Sequence, residues 1–278
     1  MRPDPMSKLV LIGLCTGLLA CAERQAEYYI DQLSDPRSQI RLDASHALVQ
    51  LGGATVEPLI KHCAGAGDSL QYIAAQILGQ IGDHRATPFL KDMVADDNRY
   101  VREQAVRALG QLANPRLVPN LEAPLFTDSV ADVRKAAAWS MGNLRDTTAV
   151  TPLIRALEDS VAAVRQQALA ALQFLWTPAA EAAAIAALED PDGSVRYVAA
   201  QMLGHHRIRK ALDPLFTALN DNNIWVRVES ARALGKIGDT TAVAKLERMF
   251  SSREGPDQEA AQEALQQLTG LNYTVAPE

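Results

Sequence analysis

The segment from Val226 to Ile237 reads VRVESARALGKI, and it is one copy of a pattern that recurs through the chain. Other clear copies, including VREQAVRALGQL and VRYVAAQMLGHH, begin at Val101, Val133, Val164 and Val195. Weaker copies begin at Ile40, Leu70 and Asp257. Successive copies start 30, 31, 32, 31, 31, 31 and 31 residues apart, which gives eight repeats. Self-similarity at such a period is typical of repeat architectures.

The spacing of apolar residues within each copy predicts a helix. When the first residue of a copy is numbered 0, apolar or small residues fall at positions +4, +7, +8 and +11, on one helix face. A Gly-Asp pair, such as Gly238-Asp239, then indicates the helix end and a turn. Proline soon afterwards, as at Pro88 and Pro214, suits the first turn of another helix. Each repeat is therefore predicted to be a helix pair, and stacked pairs would share one apolar core.

This pattern resembles the HEAT-repeat family, in particular the short repeats of phycobilisome-lyase-like proteins, over roughly residues 22–270. The resemblance implies an all-α fold, a right-handed α-solenoid of about eight two-helix repeats, with the VR-containing helices on the concave side. We expect the solenoid to cover residues 21–270 and a tail to cover residues 271–278. Because the family consists mostly of adaptors, the resemblance implies a monomeric scaffold that binds a protein or peptide partner.

The N-terminus resembles a bacterial lipoprotein signal. The apolar run LVLIGLCTGLLA occupies residues 9–20 and ends at Cys21. Twelve residues are too few to cross a bilayer as a helix, but they suit the central region of a signal peptide. The resemblance implies removal of residues 1–20, counted from a start at Met1 or Met6, and attachment of lipid to Cys21. Cys63 would then have no other cysteine with which to form an intramolecular disulfide.

A lipoprotein signal implies a location in the bacterial cell envelope. The protein would lie on the periplasmic side and reach the membrane through lipid on Cys21. Ala22, rather than Asp, after this cysteine resembles outer-membrane sorting signals. An alternative interpretation is a cytoplasmic HEAT-repeat adaptor whose apolar N-terminus is an anchor or a misassigned start. The net charge of −6 argues against a nucleic-acid groove, which needs clustered Lys and Arg.

Acidic and basic residues recur together at two positions of the repeat. Six repeats have Arg at +1, and the same six have Asp at −5, whereas the two repeats without this Arg also lack the Asp. We interpret the pairs as an Asp–Arg ladder that ties neighbouring repeats through charge-assisted hydrogen bonds; an anion-binding arginine stripe is the alternative. The ladder residues are Asp35, Arg41, Asp96, Arg102, Asp128, Arg134, Asp159, Arg165, Asp190, Arg196, Asp221 and Arg227.

Exceptions to the repeat point to a partner-binding surface. Positions +2, +6 and +10 share a helix face, avoid the apolar columns and are otherwise mostly polar. Exposed aromatic residues beside amides are typical of binding hot spots. The candidate surface is Trp139, Phe174, Tyr197, Gln201 and His205. The alternative is that helix packing covers these side chains, as we expect for Trp176 and Trp225 at the ends of the core.

The segment LGHHRIRK, residues 203–210, departs most from the repeat. His205 falls in a polar column, whereas His206 falls at +11, where other copies place Leu or Ile. Successive helical side chains diverge by about 100°, so the two rings are not expected to chelate one metal ion. The following residues replace the usual Gly-Asp turn, and Arg207, Arg209 and Lys210 form a possible anion-binding turn.

The chain shows no pattern that predicts catalysis. A nucleophile triad, a phosphate loop and a Cys/His cluster with metal-ligand spacing are all missing from the sequence. Deoxyhypusine hydroxylases, which are iron enzymes built on similar repeats, depend on His-Glu dipeptides, and this sequence has none. We therefore expect a protein that is not an enzyme and needs no metal or cofactor. A lyase-like enzyme is the less favoured alternative.

Overall fold

A computed structural model describes residues 21–65 and 67–274, and these residues contain no β-strand. The α-helices are α1 (21–32), α2 (Ser38–Leu51), α3 (Gly53–Cys63), α4 (Asp68–Ile81), α5 (Thr87–Met93), α6 (Arg99–Gln111), α7 (Val118–Phe126), α8 (Ala131–Leu144), α9 (Val150–Arg155), α10 (Ala162–Leu172), α11 (Pro178–Ala186), α12 (Gly193–His205), α13 (Leu212–Ala218), α14 (Ile224–Ile237), α15 (Val243–Ser252) and α16 (Pro256–Thr269). The all-α solenoid fold predicted from the repeats is thereby confirmed, and each even-numbered helix contains one copy of the repeated segment.

The chain forms two compact units, Met1–Leu144 and Arg145–Glu278. In the first unit the even-numbered helices α2, α4, α6 and α8 pack in succession, and in the second unit α10, α12, α14 and α16 do the same. The position 0 valines, from Val101 to Val226, have at most 1% of their surface exposed. The predicted core face is therefore correct. The predicted signal peptide, residues 1–20, and the end of the predicted tail, residues 275–278, lie outside the described residues.

Neighbouring even-numbered helices approach closely because position +9 is usually glycine. A Cβ atom added to Gly110 would lie 2.6 Å from Ser140 Cβ, and one added to Gly204 would lie 2.7 Å from the Cα of Ala233. Separations below 3 Å would force the helices apart. The glycines thus set the distance between repeats, and the bulk of the core comes from larger apolar side chains, mainly Leu and Val.

The turns after the even-numbered helices contain the predicted glycine in some repeats and a different residue in others. Gly82 and Gly238 adopt φ values of 73° and 79°, as the Gly-Asp pattern predicts. Three repeats have a residue other than glycine in this conformation, namely Ala113, Arg145 and Arg207. The residue that follows often caps a three-residue 3-10 helix; Asp239, for example, accepts the backbone N–H of Thr241. The turn is therefore held by its cap even where glycine is missing.

Two prolines lie inside helices rather than in a first helical turn. Pro58 lies in the middle of α3. Pro124 lies inside α7 and is buried.

Each ladder arginine first binds its own turn. One terminal nitrogen, Nη1, donates to the backbone carbonyl oxygen of the Asp at −5, as Arg102 does to Asp96 at 2.9 Å and Arg196 does to Asp190 at 2.7 Å. This contact is to the main chain, whereas the sequence pattern alone suggests a carboxylate. The arginine therefore closes the turn that precedes its own helix.

The other guanidinium nitrogens bind the carboxylate of the following repeat. Arg102 holds Asp128 at 2.7 and 3.1 Å, and Arg196 holds Asp221 at 2.7 Å through both Nε and Nη2. Arg165 binds Asp190 in the same way. These pairs are bidentate and largely buried, so they fix both distance and orientation between repeats.

Burial and hydrogen bonding have opposite effects on the pKa of a ladder carboxylate. Burial raises the pKa of Asp221, but the Arg196 guanidinium and the Asn223 N–H outweigh it, so the pKa is lower than usual. The resulting stabilisation is present above the unfolded-state pKa of Asp and is lost as the pH falls through the lowered folded-state pKa.

The last repeat uses a different aspartate. Ser252 stands at −5, and Arg227 binds the carboxylate of Asp257 at position 0 instead, with Nη2 2.8 Å from an oxygen. Asp257 stands in the core column of the repeat pattern, and it is only 4% exposed. Its carboxylate replaces both a core side chain and the missing ladder acid. The other side of α16 carries the exposed Gln262, Glu263, Gln266 and Gln267, which suits the last repeat of a solenoid.

The contribution of a ladder pair can be measured against an exposed ion pair between the same two helices. Arg227→Ala is expected to lower the free energy of unfolding by about 2–3 kcal/mol, because it leaves the buried Asp257 carboxylate with only the longer contact to Arg253, at 3.5 Å. Arg232 on the same helix pairs with Glu263, but these side chains are 46% and 54% exposed. Arg232→Ala should therefore cost about 0.5 kcal/mol or less. Urea unfolding followed by circular dichroism measures both, and equal losses would contradict the structural role of the ladder.

Candidate functional site

Three of the predicted partner-binding residues lie along one face of α12. Tyr197, Gln201 and His205 are spaced by four residues, which places them in a row on a helix. Gln201 and His205 are exposed, and Tyr197 is half-buried. The row therefore offers an aromatic ring, an amide and an imidazole to a ligand.

The two other predicted residues occupy different places. Phe174 follows the end of α10 in the same compact unit and is 60% exposed, with the Arg145 guanidinium 5.7 Å from its ring centroid. Trp139 belongs to the first unit, is half-buried, and has the Arg107 guanidinium 5.9 Å from its ring centroid. That Trp139 shares a surface with the other four residues stays a prediction.

Trp225 is an exposed aromatic residue that sequence reasoning misplaced. We expected it to cover an end of the core, but 60% of its surface is exposed. Its backbone N–H binds the side-chain oxygen of Asn223, which caps α14 and fixes the first turn so that the indole projects outward. The sequence signal that could have revealed this is the Asn two residues earlier, which marks the start of the helix.

Trp225 and Tyr197 line a shallow apolar pocket of about 320 Å³ together with Gly193, Ser194 and Asn223. Gly193 is needed for this arrangement, since an added Cβ would lie 2.4 Å from the Asn223 side-chain nitrogen. The pocket extends the α12 row towards α14. We use the term aromatic surface for Phe174, Tyr197, Gln201, His205 and Trp225.

The adjacent histidines have separate environments, as their repeat positions predict. His206 stacks on Trp176, with ring centroids 3.7 Å apart and an interplanar angle of 7°. Burial lowers the pKa of His206, and the neighbouring His205 lowers it further. The His205 ring is exposed and stands at 87° to that of His206. Across residues 21–65 and 67–274, no group of three or more His, Cys, Asp or Glu side chains could hold a metal ion.

Two of the three cations of the possible anion-binding turn already have acidic partners. Arg209 binds the carboxylate of Asp239, and Lys210 binds Glu181 at 2.9 Å. Hydrogen bonds from the Thr241 side chain and amide, together with Arg209, lower the pKa of Asp239 to about 2. Arg207 is exposed and takes the left-handed backbone conformation of the turn. These ion pairs tie the turn to its neighbours and reduce the positive charge that it offers to a ligand.

The cysteines differ in accessibility. Cys21, the predicted lipidation site, is exposed and belongs to the helical residues 21–32. Cys63 is buried, and burial raises the pKa of its thiol to about 11, so the thiol is unreactive at neutral pH. In the part of the chain that the structure describes, no helix has the length and apolar character needed to cross a membrane.

Two comparisons with curated proteins bear on activity. The chain is 34% identical over 110 residues to the bilin biosynthesis protein PecE of Mastigocladus laminosus, a match that covers 37% of this chain and 40% of PecE. It is 33% identical over 129 residues to mouse deoxyhypusine hydroxylase, covering 44% of this chain and 42% of the hydroxylase. The expectation that the chain is not an enzyme is corrected by these similarities, because both relatives carry the names of enzymatic functions. The chain thus spans about two fifths of the length of these curated relatives.

A solved structure supports the fold of this chain, and a family model identifies its family. The X-ray structure of YibA from Escherichia coli resembles this fold with a TM-score of 0.65, at 23% identity, over 91% of this chain and 96% of that chain. This likeness concerns the fold alone. The family model for HEAT repeats matches residues 26–105, 94–173 and 181–266, which is most of the chain. The protein therefore belongs to the HEAT-repeat family.

Proposed function

We propose that the protein binds a protein or peptide partner through the aromatic surface of its second compact unit. The observation that carries this proposal is the exposure of two large aromatic side chains, since Phe174 and Trp225 each have 60% of their surface exposed. Isolated exposed apolar residues are common on proteins, but Trp225 lines a pocket with Tyr197, and the helix face of Tyr197 also carries Gln201 and His205. The apolar pocket beside Trp225 gives a partner side chain a place to be buried.

The partner is proposed to be a polypeptide because of the shape and chemistry of this surface. It is elongated along α12 and shallow, and its pocket of about 320 Å³ is near the small end for a ligand site. The amide group of Gln201 and the imidazole group of His205 can each form hydrogen bonds with a polypeptide. These features suit a segment with alternating apolar and polar side chains.

The partner surface can be tested by site-specific photocrosslinking in the native host. A photoreactive phenylalanine analogue at Phe174 is expected to crosslink a defined protein, and Trp225→Ala should reduce the yield at least fivefold. Leu271 provides a matched control position, because it lies in the same unit and is 62% exposed. The proposal fails if the probes at positions 174 and 271 give the same products, or if Trp225→Ala leaves the yield unchanged.

We further propose that the protein is a lipoprotein of the bacterial envelope, anchored through Cys21 and facing the periplasm, with the outer membrane as its site. The sequence LLAC before and at Cys21, the exposure of this cysteine and Ala22 after it support this location. Helical structure is present from residue 21, so lipid on Cys21 would place α1 close to the membrane surface.

Lipid attachment predicts a specific response to inhibition of signal cleavage. Globomycin blocks the peptidase that processes lipoproteins, so treated cells should accumulate a precursor longer by the residues before Cys21. Cys21→Ser should abolish incorporation of labelled palmitate, whereas Cys63→Ser should retain it, since Cys63 is buried. Equal labelling of all three proteins, or a chain length that globomycin does not change, would contradict lipid anchoring and favour the cytoplasmic adaptor.

A second candidate is a lyase-like function in which the aromatic surface handles a bilin. The similarity to PecE over 110 residues favours it, since that protein is named for bilin biosynthesis. Trp225 and Tyr197 could stack on the planar rings of such a molecule. An iron centre does not fit the described residues, which offer no cluster of side chains that could hold the metal.

A bilin-binding assay distinguishes the lyase-like function from a function limited to binding a protein partner. The purified protein mixed with a free bilin should shift its visible absorption band, and Tyr197→Ala combined with Trp225→Ala should weaken binding at least tenfold. Tyr28→Ala is the control, because Tyr28 is 62% exposed and lies in the first compact unit. An unchanged bilin spectrum at high protein concentration would exclude the lyase-like candidate.

A further inference from the structure

Arg41 is oriented by its own turn in the same way as the ladder arginines. Its Nη1 donates to the carbonyl oxygen of Asp35 at 2.7 Å and to that of the next residue at 3.0 Å. Arg196 donates to the carbonyl oxygen of Asp190 at 2.7 Å and to that of the next residue at 3.0 Å. The two guanidinium groups are therefore held by equivalent main-chain contacts, which leave Nε and Nη2 directed towards the following repeat.

The difference lies in what the following repeat provides. Arg196 meets the carboxylate of Asp221, whereas the residue at the equivalent position after Arg41 is Gly65. Among the described residues, Nε and Nη2 of Arg41 have no hydrogen-bond partner. The sequence predicted that Arg41 pairs with Asp35, but the carboxylate of Asp35 binds Arg37 through both oxygens, each at 2.9 Å. Arg41 is thus a half-buried cation whose Nε and Nη2 could bind a carboxylate, and no carboxylate of the described residues binds them.

An open cleft of about 1070 Å³ adjoins Arg41 in the first compact unit. Tyr72 and Tyr100 line it and are 38% and 53% exposed. The Tyr72 hydroxyl has no partner within the described part of the chain, and Tyr100 contacts the Arg99 guanidinium. The cleft therefore places two aromatic rings and an unused hydroxyl beside the guanidinium.

Two acidic side chains also line the cleft and must be considered as competitors. Hydrogen bonds from Arg37 lower the pKa of Asp35 to about 2, so this carboxylate stays ionised and paired. Asp68 accepts a hydrogen bond of 2.8 Å from the side-chain nitrogen of Asn98. The Asp68 carboxylate does not bind Arg41, and its negative charge opposes an incoming anion.

We propose that the cleft beside Arg41 binds a carboxylate-bearing peptide. The carboxylate accepts hydrogen bonds from Nε and Nη2 of Arg41, as Asp221 does from Arg196, and an adjacent apolar residue of the peptide packs on Tyr72 and Tyr100. The carboxylate belongs either to an Asp or Glu side chain or to a C-terminus. This site is independent of the proposed aromatic surface, because all of its residues lie in the first compact unit.

The proposal is tested with three acetylated pentapeptides and the purified full chain. The first has Asp between two Phe residues and an amidated end, the second has Asn in place of Asp, and the third has a free C-terminal carboxylate after Phe and no acidic side chain. Isothermal titration at low salt should show binding of the first or the third peptide at least tenfold tighter than of the second. Preference between the first and third identifies the source of the carboxylate. Equal binding of all three peptides, or binding of none, would overturn the proposal.

Substitutions at Arg41 and Asp68 test whether these side chains determine the affinity for the peptide. Arg41→Ala and Arg41→Lys should each weaken carboxylate binding at least tenfold, because an ammonium group cannot reproduce the fork of the guanidinium. Asp68→Asn should tighten binding at least twofold by removing the opposing charge. Arg116→Ala is the control, since Arg116 is exposed in the same unit and does not line the cleft.

A structural explanation makes the opposite predictions. If Arg41 pairs with Asp68 in solution, then Asp68→Asn would destabilise the fold as much as Arg41→Ala and would not tighten peptide binding. That result in urea unfolding and titration would overturn the proposal. If Arg41→Ala fails to fold, Arg41→Lys and Asp68→Asn still decide the question.

Discussion

The bidentate contact between an arginine and the aspartate of the next repeat determines how this chain holds together. One guanidinium closes its own turn through main-chain carbonyl groups and orients the following turn through a carboxylate, as Arg196 does with Asp190 and Asp221. A lysine could supply the charge but not the two parallel hydrogen bonds. Because the same contact recurs in Arg102–Asp128, Arg165–Asp190 and Arg196–Asp221, it gives these neighbouring repeats a similar orientation within each compact unit. The helix faces, and any surface built across them, depend on this regularity.

Glycine at position +9 supplies the complementary constraint. The arginine sets the geometry at the turns, while Gly110 and Gly204 let the helix backbones approach where a methyl group would collide with Ser140 or Ala233. Small residues on a helix contribute little apolar area, so most of the stabilisation must come from side chains such as Leu109 and Leu203, which are fully buried. Within one repeat, glycine at +9 thus allows the helix backbones to approach, and leucine at other positions supplies the buried apolar surface.

The fold could be predicted almost entirely from the sequence, because a period of about 31 residues repeats every helix and turn and exposes the apolar columns directly. The partners of the ladder could be predicted less well. The same six repeats carry both Asp and Arg, so their co-occurrence does not distinguish a contact within a repeat from a contact to the next repeat. The partner of Asp257 was likewise not predicted, because nothing in the local sequence indicates that Arg227 reaches it from the preceding repeat.

The candidate site was only partly predictable. Column positions correctly placed Phe174 and the α12 row at the surface, since exposure follows from helix phase. They failed for Trp225, which precedes position 0 and lies in the first helical turn, where the Asn223 cap rather than the apolar period decides direction. Column positions also could not predict that Arg41 lacks a carboxylate partner. This lack depends on Gly65 in the following repeat and on Arg37, which binds the carboxylate of Asp35.

The ladder also makes the chain modular in whole repeats. Arg41 lacks a carboxylate partner because the second repeat has Gly65 and Gln71 where ladder residues would stand, and Asp96 in the third repeat consequently has no arginine before it. Excision of that one repeat, with the phase of the helices preserved, would bring a guanidinium and a carboxylate of the standard type into consecutive repeats. The second repeat can therefore be regarded as an interruption between Arg41 and Asp96, two ladder residues that are chemically complementary.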